Sequence, residues 1–281
     1  NYSLTSLKGL KNTSVSGSLE IEDNDSLTSL KGLENITSLD YFLRIVNNYS
    51  LTSLEGLENL TSVALWVRIE NNYSLTSLEG LENLTDIGIS LDISDNISLT
   101  SLKGLEGLTS VGRDSQTPFP RHLQIGRNDS LTSIDGLENL TYVGDYFFIT
   151  DNDSLTSLNG LENLTSVGET LLIYENGSLT SIDGFEKLTS IGGHLYIFEN
   201  GSLTSIDGLG NLTSVGEHLA ISNNDSLTSI GGLGNLTSVG GGFAIYSNLE
   251  VCTSAAEDLE SQVQAAGGID GQTYIEDNKD C

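Results

Sequence analysis

The sequence predicts a β-rich solenoid with coils of about 24 residues, one parallel strand sheet and a C-terminal capping helix. Three observations support this: a repeated N-x-S-L-T-S signature, a regular apolar spacing within each repeat, and a change to helical spacing after Asn248. A fixed period in this range indicates coils that bury their apolar faces by stacking. The signature asparagine lies at Asn1, Asn24, Asn48, Asn72, Asn96, Asn128, Asn152, Asn176, Asn200 and Asn224, with a degenerate copy at Asn248.

One coil, Asn152 to Glu175, shows how the chain winds. Its apolar residues first recur every third position and then two apart, whereas an α-helix requires mixed steps of three and four. The two residues that are two positions apart, Leu171 and Ile173, therefore predict a strand with both side chains facing inward. Gly160 and Gly168 stand where the backbone is expected to turn sharply. The apolar set is Leu155, Leu158, Leu161, Leu164, Val167, Leu171 and Ile173.

The pattern L-x-I-x-x-N-x-S-L-T-S-L-x-G-L resembles a leucine-rich repeat solenoid, and more closely the receptor L-domain type of receptor ectodomains and microbial surface proteins. In one copy the matching residues are Leu171, Ile173, Asn176, Leu179, Ile182 and Phe185. The resemblance covers nearly the whole chain and implies right-handed leucine-rich-repeat coils. It implies little about function, because such solenoids serve many unrelated partners. The alternative fold is a right-handed parallel β-helix.

An insertion divides the solenoid, which we place at residues 1–248. The step from Asn96 to Asn128 is eight residues too long, and the extra segment 113–122, RDSQTPFPRH, contains both prolines of the chain. Arg113, Arg121 and Arg127 lie in or beside it. Insertions in solenoids become loops on one face, often the binding face. The segment is either an assembly loop or a tolerated surface loop.

Residues 249–281 are predicted to form a C-terminal cap. Apolar residues at helical spacing indicate a helix over 253–266, with Ser254 and Glu257 as a capping box and Gly267 as its stop. Tyr274, Ile275 and Asn278 then repeat the strand signature. The only two cysteines, Cys252 and Cys281, are expected to form a disulfide worth about 3 to 4 kcal/mol by loop entropy, although two free thiols are the alternative.

Composition indicates the compartment and excludes some partners. The net charge of −28 argues against nucleic acid and anionic membranes. The charge is uneven, at −7 over residues 1–127 and −21 over residues 128–281. No apolar run is long enough to cross a bilayer. A disulfide favours an oxidising, extracellular setting, and the absence of methionine suggests that a leader precedes the sequence.

Asparagine occupies two registers that look alike as glycosylation sequons. In leucine-rich repeats the signature asparagine points inward and bonds to the next coil, so by resemblance we expect a buried ladder with little sugar there. The second register lies between inward leucines, so it is expected to face solvent and to carry N-linked glycans. Unmodified turn residues are the alternative. The second register comprises Asn12, Asn35, Asn59, Asn83, Asn139, Asn163, Asn211 and Asn235.

Outward positions of the strands give a candidate contact face. They change from charged residues in the early coils to apolar and aromatic residues in the later ones, and clustered exposed aromatics indicate a binding surface. Aromatic pairs across strands also stabilise a sheet by themselves, which is the alternative. The aromatic face consists of Tyr146, Phe148, Leu172, Tyr174, Tyr196, Phe198 and Tyr246, with Phe42 and Trp66 at equivalent places earlier in the chain.

Few residues suggest chemistry. Three histidines share one column just before the strands, where a weak metal site or chance placement is conceivable. Acidic turn residues are of the type that attracts calcium, but their spacing matches no EF-hand loop. The best enzymatic group carries charges of opposite sign on neighbouring strands, which usually only stabilise a sheet. The histidines are His122, His194 and His218. The acidic turn residues are Asp151, Asp153 and Asp225, and the charged group is Arg44, Arg68 and Asp92.

The sequence therefore predicts a secreted or surface-exposed, N-glycosylated protein that acts by contact, with no cofactor and no catalysis. The favoured version is a structural subunit that binds other copies of itself. In it the uncapped first coil docks on a neighbour and the basic insertion meets the acidic C-terminal half. The alternative is the recognition domain of a receptor or adhesin that binds a surface protein or glycan. A polysaccharide-active β-helix enzyme is the remote alternative.

Overall fold

The computed structural model describes residues 3–11, 15–113 and 118–281, and it confirms a parallel β-solenoid with one C-terminal helix. Its main feature is a wide parallel sheet of eleven strands in chain order, one from each successive coil. The strands are Leu19–Glu22, Phe42–Val46, Trp66–Glu70, Ser90–Ser94, His122–Gly126, Tyr146–Thr150, Leu171–Tyr174, Leu195–Phe198, Leu219–Ser222, Phe243–Tyr246 and Thr273–Glu276.

Identical positions of successive coils lie side by side, so the core is a set of apolar columns. Leu171 and Ile173 pair in register with Leu195 and Ile197, and all four side chains are fully buried. The residues spaced three apart, such as Leu155 and Leu158, are buried in the same cluster. Each buried leucine or isoleucine contributes about 1.5 to 3 kcal/mol relative to an exposed one. No single coil has this core without its neighbours.

A second, narrow parallel sheet accompanies the wide one and was not predicted. It has nine strands of two residues each, formed by the short segments that precede the second to tenth strands of the wide sheet. Two residues are too few to show a period of two, so the sequence pattern indicated only a corner there. Its strands are Ser38–Leu39, Ser62–Val63, Asp86–Ile87, Ser110–Val111, Tyr142–Val143, Ser166–Val167, Ser190–Ile191, Ser214–Val215 and Ser238–Val239. Short 3-10 helices occupy Lys8–Leu10, Asp207–Leu209 and Gly231–Leu233.

The two glycines of the coil serve different purposes. Gly160 has φ of +113°, a conformation that favours glycine, so the predicted sharp turn is confirmed there. Gly168 is needed for a different reason, because a Cβ on it would lie 1.7 Å from the carbonyl oxygen of Gly144 on the neighbouring coil. The second glycine thus permits close approach of two coils.

Signature asparagines form the predicted buried ladder. Asn152 is fully buried, and its Nδ2 donates to the carbonyl oxygens of Ile125 and Thr150, each at 3.0 Å. Its Oδ1 accepts the backbone N–H of Asn128 at 3.2 Å. The same bonds recur from Asn48 to Asn248, which satisfies backbone groups that would otherwise be buried without partners.

The residue before each ladder asparagine adopts a left-handed conformation, a feature that the sequence did not reveal. Its φ lies between 52 and 57° in every case. This region costs residues other than glycine roughly 1 to 2 kcal/mol, although asparagine and aspartate tolerate it better. A backbone hydrogen bond to the next coil, such as Asp151 N–H to Tyr174 O at 3.0 Å, holds it there. The column is Asp23, Asn47, Asn71, Asp95, Arg127, Asp151, Glu175, Glu199, Asn223, Ser247 and Asp277.

The C-terminal cap has the predicted helix, Thr253–Ala266, ending before Gly267. The predicted capping box of Ser254 and Glu257 is wrong, because Ser254 lies inside the helix and Cys252 is its N-cap, without a capping hydrogen bond from a side chain. The backbone N–H of Thr253, the first residue of the helix, donates to the carbonyl of Lys279 at 2.9 Å, which gives this end of the helix a partner outside it.

Two further predictions for the cap are confirmed. Cys252 and Cys281 form a disulfide, with their Cα atoms 5.6 Å apart. Asn278 continues the ladder, because its Nδ2 donates to Ile245 O at 2.7 Å and its Oδ1 accepts the N–H of Asn248 at 3.1 Å. The final strand therefore covers the last coil of the solenoid.

We expect Asn152→Ala to lower the free energy of unfolding by about 2 to 5 kcal/mol, because it leaves the buried Asn128 N–H and Ile125 C=O without partners. The matched control is Asn163→Ala on the same coil, which removes two hydrogen bonds at the surface, to Glu138 O and from Lys187 Nζ, and should cost about 1 kcal/mol because water can replace both partners. Urea unfolding followed by circular dichroism measures both. Equal losses would contradict a structural ladder.

Candidate interaction surface

The aromatic face lies on one side of the wide sheet, and all seven of its side chains are half-buried. Phe148, Leu172 and Tyr196 are register partners on consecutive strands. The Tyr196 ring stacks on Phe198 with centroids 5.3 Å apart and on His194 at 5.1 Å. These contacts orient the rings on the sheet, so the structure brings together the residues predicted from sequence.

A shallow trough completes this face and was missed by the sequence pattern. Along one row the register partners are Tyr196, Ala220, Ala244 and Tyr274, so two alanines lie between two tyrosines. Tyr274 packs edge-to-face on Tyr246 with centroids 5.2 Å apart. Since strands are about 4.8 Å apart, the trough is wide enough for one extended chain or one ring. The two alanines were visible in the sequence as small residues in an aromatic row.

The early strands form a second feature on the same sheet, a groove of about 400 Å³ beside the insertion. Trp66, Arg44 and Arg68 line it from the sheet, and Phe119, Pro120 and His122 line it from the insertion side. Sequence reasoning missed it because a loop must fold across the strands to form it. Ser90, a small residue between Trp66 and His122 in one row, was the available signal.

Two of the three arginines of the assembly loop are paired within the chain. Arg121 forms ion pairs and hydrogen bonds with Asp145 on the next coil, and this bonding raises the pKa of Arg121. Arg127 bonds to both carboxylate oxygens of Asp95, at 2.8 and 2.7 Å. Arg113 is exposed and, among the described residues, has no ion pair. Residues 114–117 of the predicted loop lie outside the described residues.

Two residues of the histidine column, His194 and His218, accept hydrogen bonds from the backbone. Gly242 N–H donates to Nδ1 of His218 at 2.7 Å, and His218 N–H donates to Nδ1 of His194 at 3.3 Å. An Nδ1 that accepts a hydrogen bond carries no proton, so in the neutral ring the proton is on Nε2. Ligand atoms of His194, Glu217 and His218 lie within 4.8 Å of one another, but this tautomer withholds the Nε2 lone pairs that a metal would need.

His122, the third member of the column, anchors the insertion. Its Nδ1 lies 3.1 Å from Ser90 Oγ, and its backbone N–H donates to the same hydroxyl at 3.2 Å. Ser90 in turn donates to the carbonyl of Pro120 at 3.2 Å. Burial lowers the pKa of His122, so its ring is neutral at pH 7. One small serine thus fixes the end of the loop to the sheet.

Acidic side chains gather in a concavity on the turns that follow the strands. Asp151 and Asp153 lie there with Glu175 and Glu199, whereas Asp225 lines a neighbouring concavity. Tyr174 donates its hydroxyl proton to Glu175 at 2.5 Å, and this hydrogen bond raises the pKa of Tyr174 to about 12. Burial, and then the hydrogen bond with Glu175, raise the pKa of Asp151. The acidic turns considered for calcium thus contain a carboxyl, that of Asp151, whose pKa is raised.

Asparagines of the second register lie at the surface, as expected, but they also bond to the preceding coil. Asn163, which is half-buried, donates Nδ2 to Glu138 O at 2.6 Å, and Asn59, which is exposed, donates to Glu34 O at 2.8 Å. Asn35, Asn83, Asn139, Asn211 and Asn235 make the equivalent bond. Asn12 lies outside the described residues. The sequence did not reveal this outer ladder.

The group considered for catalysis consists of ion pairs between strands. Arg68 Nε lies 3.4 Å from Asp92 and 3.8 Å from Glu70, and Arg44 Nε lies 2.5 Å from Glu22. Arg44 and Arg68 are direct register partners, as are Arg68 and Asp92. Such pairs stabilise neighbouring strands. These ion pairs account for the charged residues structurally, so no catalytic role is needed to explain why they are there.

We expect the carboxyl of Asp151 to make stability depend on pH. Its pKa is raised above the ordinary value of 3.8 despite the nearby Arg127, so the folded state binds more protons than the unfolded chain in the window just above that value. The free energy of unfolding therefore falls as pH rises through this window and stays lower above it. Asp151→Asn should raise Tm more at pH 7 than at pH 3.

The neutral control Thr156→Ala, at an exposed position of the same coil, should change Tm by the same amount at both pH values. Thermal unfolding followed by circular dichroism measures each variant. A gain from Asp151→Asn that is equal at pH 3 and pH 7 would contradict the raised pKa.

Two family models match separate parts of the chain. One, described as receptor L domain, matches residues 12–79, and the other, described as BspA type leucine rich repeat region, matches residues 126–251 in six copies. No curated protein matches the chain significantly. Such domains are typically extracellular or surface domains, mediate protein contact and are typically non-enzymatic. No helix among the described residues is long and apolar enough to cross a membrane. The chain is a leucine-rich repeat solenoid, as its sequence pattern and its coils both indicate.

Proposed function

We propose that the protein is an extracellular recognition scaffold that binds a protein partner through the aromatic face of its wide sheet. The observation that carries this is the row Tyr196, Ala220, Ala244 and Tyr274, a trough between oriented rings on a rigid sheet. Accessible tyrosine and phenylalanine rings are enriched in interfaces because they bury a large area with little loss of side-chain entropy. Pre-ordered rings reduce the entropy cost of binding further.

Charge indicates the chemistry of the partner. The half of the chain that contains the aromatic face, residues 128–281, has a net charge of −21. At the two tyrosines of the trough, Glu217 lies near enough to raise the pKa of Tyr196, after burial, and Glu276 accepts the hydroxyl proton of Tyr274 at 3.1 Å. Complementary charge accelerates association and favours a partner with basic groups. A partner segment that combines apolar side chains with lysine or arginine fits this surface best.

Self-assembly, the version that the sequence favoured, stays a prediction. Its proposed electrostatic contact depended on three arginines, and Arg121 and Arg127 already neutralise Asp145 and Asp95 of the same chain. Arg113 is the remaining cation for a contact between copies. Changing Arg121 would break an internal pair, so Arg113→Glu is the cleaner test of assembly by sedimentation velocity.

We also propose N-linked glycans on the second asparagine register. An N-glycan replaces one of the two hydrogens of Nδ2, and the hydrogen bond of Asn163 to Glu138 uses only one. Ladder asparagines such as Asn152 use Nδ2 for bonds to three oxygens and are fully buried, so they have no space for sugar. The disulfide supports the extracellular setting that glycosylation requires.

Recognition predicts that Tyr196→Ala combined with Phe198→Ala weakens capture of the native partner at least tenfold, because two interface rings are lost. The control is Tyr73→Ala, an exposed tyrosine on a turn outside the aromatic face. Surface plasmon resonance with a partner identified by cross-linking to the trough measures the affinities. Unchanged capture by a folded double variant would exclude this face.

Glycosylation predicts sugar mainly on Asn59, Asn83, Asn139 and Asn163 in protein from its natural source. Peptide mapping by mass spectrometry, with and without enzymatic deglycosylation in heavy water, reads out each site. Sugar of equal occupancy on Asn72 and Asn152 would refute the distinction between the two registers. Sugar on neither register would refute glycosylation.

A further inference from the structure

We propose that the groove between the early strands and the insertion, the insertion groove, binds an apolar carboxylate, such as an aromatic acid or the C-terminal residue of a peptide. Trp66, Arg44, Arg68, Phe119, Pro120 and His122 line it. It lies on strands that the aromatic face does not use, so this proposal is independent of the function proposed above.

The groove exists because a small residue interrupts a row of rings. Phe42 and Trp66 stack in parallel with centroids 4.1 Å apart, and Ser90 follows Trp66 in register on the next strand. The ring of His122 lies beyond Ser90, to which it is bonded. The side of Trp66 away from Phe42 therefore borders open space where a third ring would continue the stack.

The insertion forms the other wall. Phe119 is 62% exposed although it lines the groove, so one side of its ring is available to a ligand. The bond from Ser90 to Pro120 O fixes the end of the segment that carries this ring. Val67 and Ile89 are buried at the base. A flat apolar group between Trp66 and Phe119 would displace water from both rings, which is favourable.

Two guanidinium groups provide the charge at the groove. Arg44 and Arg68 lie side by side in register, and their contacts to Glu22, Glu70 and Asp92 all use Nε. Among the described residues, no hydrogen bond or ion pair occupies their terminal nitrogens. These nitrogens can bind a carboxylate in the bidentate geometry that guanidinium favours. No acidic side chain of the described residues lines the groove.

Volume limits the ligand. About 400 Å³ lies at the lower end of the range for small-molecule sites and accommodates a ring with a short acidic chain. A nucleotide or an oligosaccharide is larger. Apolar lining on both sides together with cations favours an aromatic or branched aliphatic group that bears a carboxylate.

The test uses Trp66, the only tryptophan of the chain, as a reporter inside the groove. The probes are 3-phenylpropionate and its neutral isostere 3-phenylpropionamide, titrated while tryptophan fluorescence is excited selectively. We expect saturable binding of the acid with Kd on the order of 1 mM, as is usual for so small a ligand. The amide should bind about tenfold more weakly, because it cannot form charge-assisted hydrogen bonds.

Variants separate the two parts of the groove. Arg44→Gln combined with Arg68→Gln should abolish the difference between acid and amide, and Phe119→Ala should weaken both ligands by a similar factor. The controls are Lys187→Gln and Tyr41→Ala, an exposed cation and an exposed ring outside the groove, which should change neither affinity. Circular dichroism confirms that each variant is folded.

Equal affinities for acid and amide in the wild type would overturn the proposal, as would the absence of saturable binding in both fluorescence and saturation-transfer NMR. Tyr196→Ala with Phe198→Ala should leave binding of the acid unchanged. The two proposals can therefore fail separately. Partner capture tests the aromatic face, and binding of the acid tests the insertion groove.

Discussion

The buried asparagine ladder is the interaction on which the rest of this structure depends. Each coil must turn inside the protein, and a turn leaves backbone N–H and C=O groups that water cannot reach. The side chain of Asn152 satisfies two backbone groups that precede it by about one coil, the carbonyl oxygen of Ile125 and the N–H of Asn128. Its backbone N–H also donates forward to Oδ1 of Asn176 at 3.2 Å, so the ladder fixes each coil to both neighbours and sets the register of the wide sheet.

This internal constraint leaves the outward positions free to vary. Inward residues such as Leu171 and Ile173 are repeated almost unchanged, whereas the middle outward row passes from Arg44 and Arg68 through Phe148 to Ala220. Variation on a fixed register places different chemistry at known spacings on one sheet. Two candidate binding surfaces result from this variation on a single scaffold. One is the insertion groove, which combines arginines with apolar rings, and the other is the aromatic trough.

Much of the fold was predictable because periodicity reports it directly. The step of 24 residues, the change in apolar spacing and the helix Thr253–Ala266 all follow from local patterns. The narrow sheet, the left-handed residues and the N-cap at Cys252 did not follow, because they depend on bonds between coils. Ser254 looked like the N-cap, but Cys252 has that position, and Lys279, which follows the final strand, accepts the N–H of Thr253. The aromatic face was predictable by aligning copies, whereas the insertion groove required a loop folded over Ser90.

Hydrogen exchange of the folded protein tests the central claim most directly, because it observes the ladder without changing a residue. The backbone N–H groups of Asn72, Asn128, Asn152 and Asn176 bond to buried side-chain oxygens of the next coil. The account predicts that they exchange as slowly as the N–H groups of the neighbouring strands, through opening of the whole core. Exchange at the rate of exposed turns, with the strands still protected, would contradict it.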